Sequence, residues 1–116
     1  MAKKINANRK GKAFERKVAH ILSDNGFPAR RGQQFAGSPD SPDVVSSDFP
    51  FHIECKAVER LNIDNAMLQS IKDSGEKAPC VIHKKNNADI LFTCKLDDFL
   101  TLLNKKRTRY KRKRVK

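Results

Sequence analysis

The segment from Phe51 to Ala57 alternates apolar and polar residues one by one, and it constrains the fold more than any other stretch. A period of two is typical of a β-strand with one buried face, because successive side chains point to opposite sides. One face is therefore expected to join a core, and the other to carry polar side chains. The core face comprises Phe51, Ile53, Cys55 and Ala57, and the polar face comprises His52, Glu54 and Lys56.

The rest of the chain predicts an α/β protein with a mixed central sheet flanked by helices. Helical spacing favours three helices, over 11–25, 63–75 and 96–103. Strands are expected over 29–35, 43–46, 51–58, 79–84 and 89–95, with 85–88 as a hairpin connection. The last helix is expected to bury a stripe formed by Leu96, Phe99, Leu100 and Leu103. We divide the chain into a basic N-terminal arm (1–10), one folded domain (11–104) and a basic, flexible C-terminal tail (105–116).

The charge of the chain is concentrated at its C-terminal end. The sequence has 25 Lys and Arg against 13 Asp and Glu, a net charge of +12. Nine of the basic residues lie within 105–116, which has no acidic residue. Such a field favours nucleic acid as the partner. A membrane is not expected, because the tail has no apolar face and the chain has no long apolar run.

The cysteines and the N-terminus favour a cytoplasmic protein. Cys55, Cys80 and Cys94 are widely spaced in apolar segments, without the Cys-x-x-Cys spacing of a zinc site. Buried, reduced thiols are the simplest interpretation. The N-terminus lacks the apolar stretch of a secretory signal. We expect the protein to act in the cytoplasm of a bacterial or phage-infected host cell.

Two carboxylates and a lysine are expected to meet near the end of the sheet. Asp43 opens a short strand after Pro42, and Glu54 lies in the alternating strand. Paired strands lie ~4.8 Å apart, so both carboxylates can bind one divalent cation, with the backbone carbonyl of Cys55 as a further oxygen. Lys56 lies ~7 Å further along the same face, within reach of an attacking water or a phosphate. This combination suits phosphodiester hydrolysis.

Several alternatives stay open at this stage. Asp40 repeats the Ser-Pro-Asp pattern of Asp43, which we prefer because two valines follow it and fix a strand. The Glu-x-Lys pattern also occurs at Glu15 to Lys17, within a helix, so by itself it is weak evidence. A solvated strand face with a chance ion pair is the alternative explanation of Glu54 and Lys56.

Two polar residues on the predicted helices are further candidates. Glu15 borders the apolar stripe of the first helix, where a carboxylate can reach a sheet edge and complete a second metal position or hold a water. Gln69 flanks Ala66 on the second helix and is a candidate for binding a phosphate or orienting Lys56. An ordinary surface charge and an ordinary polar flank are the alternatives for these two residues.

Three segments together resemble the PD-(D/E)XK nuclease superfamily, in particular its small phage and archaeal Holliday-junction resolvase-like members. They are Gly11 to Arg16 at the start of the first helix, Pro42 to Val45, and Ile53 to Lys56. The similarity extends from about Gly11 to about Leu103. The resemblance implies a restriction-endonuclease-like α-β-β-β-α-β core.

The resemblance also implies roles for individual residues. Asp43 and Glu54 would bind Mg²⁺, for which Mn²⁺ is expected to substitute, and Lys56 would be the catalytic lysine. Glu15 would be the acid of the first helix, and Gln69 matches a glutamine on the second core helix of several subfamilies. Similarity to resolvases implies a homodimer acting on branched duplex DNA, in recombination or repair.

DNA contacts are expected from basic residues of the body and the tail. The expected residues are Arg30, Arg31, Lys84, Lys85, Lys105, Lys106, Arg107, Arg109, Lys111, Arg112, Lys113 and Arg114. We expect a Mg²⁺-dependent, structure-selective DNA endonuclease. The alternatives are a nicking or repair endonuclease without junction preference, and a non-catalytic basic protein that only binds nucleic acid.

Overall fold

The computed structural model describes residues 7–32 and 43–114, with side chains described for 9–32 and 43–105. Its elements follow the predicted order α-β-β-β-α-β-β-α. They are α1 (Ala7–Asp24), β1 (Arg30–Arg31), β2 (Val44–Val45), β3 (Phe51–Ala57), α2 (Ile63–Asp73), β4 (Ala78–Lys84), β5 (Leu91–Cys94) and α3 (Leu96–Arg114).

The five strands form one sheet in the order β1-β2-β3-β4-β5. β3 and β4 run parallel, in register from Phe51 opposite Ala78 to Ala57 opposite Lys84, and the other neighbours are antiparallel. A parallel pair needs a crossover connection, which α2 supplies between these two strands. The predicted α/β class with a mixed sheet is therefore confirmed.

The main core lies between α1 and one face of the sheet. Phe14 and Val18 of α1 pack against Ile53, Cys80 and Ile82 of the two central strands. Ile53 is only 1% exposed. Full burial of a side chain of this size contributes ~1.5–3 kcal/mol. This contact fixes α1, which spaces its apolar residues at helical intervals, against the middle of β3.

The second face of β3 is also covered, which differs from the expectation of a strand with one buried face. α2 packs on it, and the buried Ser70 hydroxyl donates to the Cys80 carbonyl at 3.0 Å. As a result, His52 and Glu54 are only 5% and 7% exposed. The physical reason is that β3 lies in the centre of the sheet, so a helix covers each face.

Positive φ angles mark the ends of the elements. Gly26 follows α1 with φ 93°, as its position after Asn25 predicts, and Gly75 follows α2 with φ 59°. Asn87 adopts φ 58° in the turn that joins β4 to β5, where asparagine is well tolerated. The predicted hairpin connection is therefore confirmed.

The helix ends differ from the prediction at both ends of the chain. α1 begins at Ala7 instead of Gly11, and α3 continues to Arg114 instead of ending at Leu103. No glycine or proline interrupts residues 96–114, and Lys and Arg are good helix formers, so nothing stops the helix where its apolar stripe ends. The division into arm, domain and tail stays a prediction.

The predicted burial of the α3 stripe is wrong. Leu96 is 68% exposed, and Phe99, Leu100 and Leu103 are 40–44% exposed. Only Leu102 is described as packing against the core cluster from this helix. The helix starts immediately beyond β5, at the edge of the sheet, so no neighbouring strand lies beside it.

Among residues 7–32 and 43–114, no helix is long and apolar enough to cross a membrane.

Candidate active site

The backbone of Asp43 is held from both sides at the point where β2 begins. Its amide donates to the Ile53 carbonyl of β3 at 3.0 Å, and its carbonyl accepts from the Gly32 amide at 2.8 Å. The next residue, Val44, pairs with Ile53 and is 1% exposed. Of the two valines that favoured Asp43 in the sequence, Val44 therefore pairs with the central strand, and Val45 pairs with Arg30 of β1.

The carboxylate of Asp43 is buried beside the alternating strand. Its Oδ2 accepts a hydrogen bond from the Cys55 amide at 2.8 Å, and the residue is 8% exposed. Burial raises the pKa of Asp43 to about 6, and the negative charge of Glu54 adds to the rise. The Cys55 amide lowers this pKa, Glu15 raises it, and Lys56 lowers it. Asp43 thus experiences the charge of all three other residues proposed from the sequence for this position.

Glu15 reaches the site from α1. Its Oε1 accepts from the Arg31 Nε at 2.8 Å, and its side chain is 18% exposed. This half-buried position agrees with the expected place at the border of the apolar stripe. Sequence reasoning assigned Arg31 to DNA and missed this ion pair. The only signal in the sequence was the opposite charge of the two residues, which lie on neighbouring elements, α1 and β1.

Lys56 lies two residues beyond Glu54 and is half-buried. Together with Gln69 it lines an open pocket of about 370 Å³ at the start of α2. The amide of Gln69 is exposed and donates to Asp73 Oδ2 at 2.6 Å on the same helix. The structure therefore places Gln69 beside Lys56, in a pocket whose lining does not include Asp43 or Glu54.

His52 is a neighbour of Glu54 that sequence reasoning treated as a surface residue. Its Nε2 lies 3.5 Å from Glu54 Oε1, and the imidazole side chain is 5% exposed. Within the described residues, this nitrogen has no hydrogen-bond partner. The alternation in the sequence already indicated that His52 and Glu54 share one face of the strand. His52 is buried because α2 covers that face.

Side chains alone supply only part of the oxygen ligands that a hard cation requires. Among residues 7–32 and 43–114, no three His, Cys, Asp or Glu side chains form a group able to hold a metal ion. Asp43 and Glu54 offer two carboxylates, and the Cys55 carbonyl is the further oxygen expected from the sequence. The Cys55 thiol is unsuited to coordination, because burial and the charge of Asp43 raise its pKa well above the ordinary range.

The comparison with protein families decides the relationship. A family model described as "Phage putative PDDEXK endonuclease" matches residues 6–116, almost the whole chain. The chain belongs to this family. The recognition of a PD-(D/E)XK nuclease of phage type from three short segments is therefore confirmed. No curated protein matches the chain.

Membership of the phage PD-(D/E)XK family supports a nuclease that acts on DNA. Nucleases of this kind generally use a divalent metal ion, and the carboxylate oxygens of Asp43 and Glu54 fit that requirement. Pro42 and the alternative ligand Asp40 lie outside the described residues. The assignment of individual site residues stays a prediction.

The basic residues proposed for DNA binding in this family member occupy different surroundings. Arg30 and Lys85 are exposed, whereas Arg31 is paired with Glu15. The Lys84 ammonium donates to the carbonyls of Lys85 and Ala88, both at 3.1 Å, and so closes the β4–β5 turn. Lys105 is exposed on α3. The remaining proposed residues of α3, whose side chains are not described, are Lys106, Arg107, Arg109, Lys111, Arg112, Lys113 and Arg114.

Proposed function

We propose that this protein is a Mg²⁺-dependent, structure-selective DNA endonuclease that hydrolyses phosphodiester bonds of branched DNA, similar to a Holliday-junction resolvase. The observation that carries the proposal is the environment of Asp43. Its buried carboxylate accepts a hydrogen bond from the Cys55 amide and lies in the negative field of Glu54 and Glu15. The positive charge of Lys56 offsets part of that field.

The metal fits this environment for an electrostatic reason. A carboxylate whose pKa is raised to about 6 holds its charge at a cost, and a divalent cation would remove that cost. Asp43, Glu54 and the Cys55 carbonyl would hold Mg²⁺, and Mn²⁺ is expected to substitute. A bound ion of this kind offsets the negative charge that develops on a phosphate during hydrolysis.

The other proposed residues act on the water and the phosphate. Lys56 would place its ammonium beside the attacking water and lower the cost of forming hydroxide there. Glu15, held by Arg31, would fix the position of a water at the edge of the sheet. Gln69 lines the same pocket as Lys56 and would orient that ammonium or a phosphate oxygen.

A cleavage assay tests the proposal. Four-way junctions, flaps, linear duplex and single strands are incubated with the protein and Mg²⁺, Mn²⁺ or EDTA. Lys56→Ala should reduce cleavage by ~10²-fold or more, because transition-state charge stabilisation is lost. It should reduce DNA affinity by no more than the loss of one phosphate contact. Lys72→Ala, at an exposed lysine of α2, is the matched control. Undiminished cleavage by Lys56→Ala would refute the assignment.

Resolution of a junction also requires two active sites, which we propose a homodimer supplies. Five apolar residues exposed on β5 and α3 support this, since a second copy would cover them. They are Phe92, Leu96, Phe99, Leu100 and Leu103. Light scattering should give twice the mass of one chain, and junctions should receive paired, symmetric nicks. A monomer making single nicks would favour a nicking or repair enzyme.

A non-catalytic basic protein is the second candidate, because α3 carries most of the basic tail on one continuous helix. Under that hypothesis DNA binding is sensitive to salt, indifferent to Mg²⁺ and unaffected by Asp43→Asn.

The three described cysteines are free thiols, which agrees with action in the reducing cytoplasm.

A further inference from the structure

Three adjoining pockets lie beyond the C-terminal ends of the parallel strands β3 and β4, from the α1 side to the α2 side, and together they are called the groove. Its central pocket, of about 410 Å³, lies between the loop after β3 and the β4–β5 turn. The α1-side pocket, of about 190 Å³, adjoins it at Lys84, which lines both. The α2-side pocket is the one that contains Lys56 and Gln69, and it adjoins the central pocket at Val58 and Leu61.

The groove is predominantly cationic. Six basic residues line it against two acidic ones, Glu59 and Asp89. One of these acids is already engaged, because Glu59 Oε2 accepts from the Asn86 amide of the turn. The basic residues are Lys10, Lys17, Lys56, Arg60, Lys84 and Lys85. This charge matches a phosphodiester backbone that crosses the end of the sheet.

The central pocket also has an apolar floor, which a phosphate backbone alone does not need. The floor is formed by Val58, Leu61, Ile63 and Leu91. Val58 is 41% and Leu91 is 55% exposed, so apolar surface remains available to a ligand. A base in a duplex is stacked and paired and cannot enter a pocket of this kind, whereas an unpaired base can.

The position of the pocket relates it to the candidate active site. Val58 lies two residues beyond Lys56, about 7 Å along the chain direction of β3. A strand whose phosphate lies at Lys56 would therefore bring a neighbouring nucleotide to the central pocket. Ligands of α/β sheets commonly bind beyond the carboxyl ends of parallel strands, which is where this groove lies.

We propose that the groove binds the unpaired strand that flanks the scissile phosphate, with one unstacked base on the apolar floor and the phosphates along the lysines. The substrate class is then DNA with a single-stranded segment next to the cleaved bond, such as a flap or a branch point. The inference rests on the proposed nuclease function for its link to a scissile phosphate. Its test is therefore a binding measurement in EDTA, which does not depend on cleavage.

The first measurement compares charge reversals inside and outside the groove. Fluorescence anisotropy gives the affinity of each variant for a duplex with a single-stranded tail and for the same duplex with blunt ends. Lys17→Glu and Lys85→Glu should each weaken binding of the tailed duplex about tenfold and lower the salt slope by ~0.7 per lost contact. Arg16→Glu, at the exposed residue next to Lys17 but outside the groove, is the control and should have a much smaller effect.

The second measurement addresses the base. Val58→Asp should weaken binding of the tailed duplex about tenfold and leave the blunt duplex unchanged, since it places a charge on the apolar floor. Leu68→Asp is the control, because Leu68 is 63% exposed on α2 and does not line the groove. An abasic nucleotide next to the duplex end should weaken binding to the wild-type chain. It should have no further effect on Val58→Asp, because the two changes remove the same contact.

The outcomes separate this inference from the proposed function. Equal losses for tailed and blunt duplexes, or for groove and control variants, would overturn the inference even if the protein cleaves DNA. A loss of affinity by the groove variants for the tailed duplex alone would support the inference, whether or not the protein cleaves DNA. Absence of cleavage of every substrate would refute the nuclease proposal instead. Circular dichroism of each variant confirms that the comparison is made between folded chains.

Discussion

Asp43→Asn should stabilise the protein while it abolishes cleavage. The folded chain holds Asp43 with a pKa of about 6, against 3.8 for an ordinary aspartate, because burial and Glu54 oppose its ionisation. A rise of this size corresponds to about 3 kcal/mol of unfavourable free energy when the group is ionised. Asparagine keeps an oxygen that can accept from the Cys55 amide, and it carries no charge.

The pH dependence has a definite sign. Because the folded-state pKa lies above the unfolded value, the folded chain binds this proton more tightly, and the resulting stability is complete below about pH 4. That stability is lost as the pH rises through about 6. The stability difference between Asp43→Asn and the wild-type chain should therefore be small at pH 4 and reach about 2–3 kcal/mol at pH 7.5 in EDTA.

Urea denaturation at the two pH values measures this difference, and thermal melting should show a rise of roughly 10 °C at pH 7.5. Mg²⁺ should stabilise the wild-type chain by about 2.7 kcal/mol at a hundred times its dissociation constant, and leave the variant nearly unchanged. Asp48→Asn, at an exposed aspartate of the turn before β3, is the control. An unchanged or lower stability of Asp43→Asn at pH 7.5 would refute the electrostatic argument.

Three further perturbations test the fold and the tail. Ser70→Ala removes the buried hydroxyl that donates to the Cys80 carbonyl and should cost about 1 kcal/mol in urea denaturation. Lys77→Met removes an ammonium that donates to two carbonyls between β2 and β3, at 2.8 and 3.0 Å, and should cost about 1.5–3 kcal/mol. Deletion of residues 105–116 removes nine basic residues and should reduce the salt slope of DNA binding by ~0.9 per duplex phosphate contact. The far-ultraviolet spectrum should lose only the helical signal of the removed end of α3. An unchanged salt slope would contradict a role of the tail in DNA binding.

The sequence predicted the helices and strands and their order along the chain because the patterns that specify them are local. Alternation in Phe51 to Ala57, helical spacing around Phe14 and Val18, and turn residues such as Asn87 each depend only on near neighbours. The cover on both faces of β3 depends on the parallel pairing with β4, which brings α2 across the sheet. No pattern within β3 itself reports that pairing, so the burial of His52 was missed.

The last helix shows the opposite limit of local reasoning. The spacing of Leu96, Phe99, Leu100 and Leu103 is that of an amphipathic helix, and a helix does form. Spacing shows that a face is apolar but not what covers it, and here the chain leaves the sheet at its edge strand. The apolar stripe of α3 is therefore left exposed, and the proposed homodimer would cover it.

The candidate site depends both on local sequence patterns and on tertiary contacts. Alternation placed Glu54 and Lys56 on one face, but the position of Asp43 depends on the pairing of Val44 with Ile53 and on the Cys55 amide. The same amide that fixes the carboxylate also offsets only part of the burial cost, so the pKa of Asp43 stays raised. A site arranged for stability alone would place a neutral or apolar residue there. The presence of an unfavourable, buried carboxylate beside the central strand is therefore the strongest physical argument that a cation completes the site.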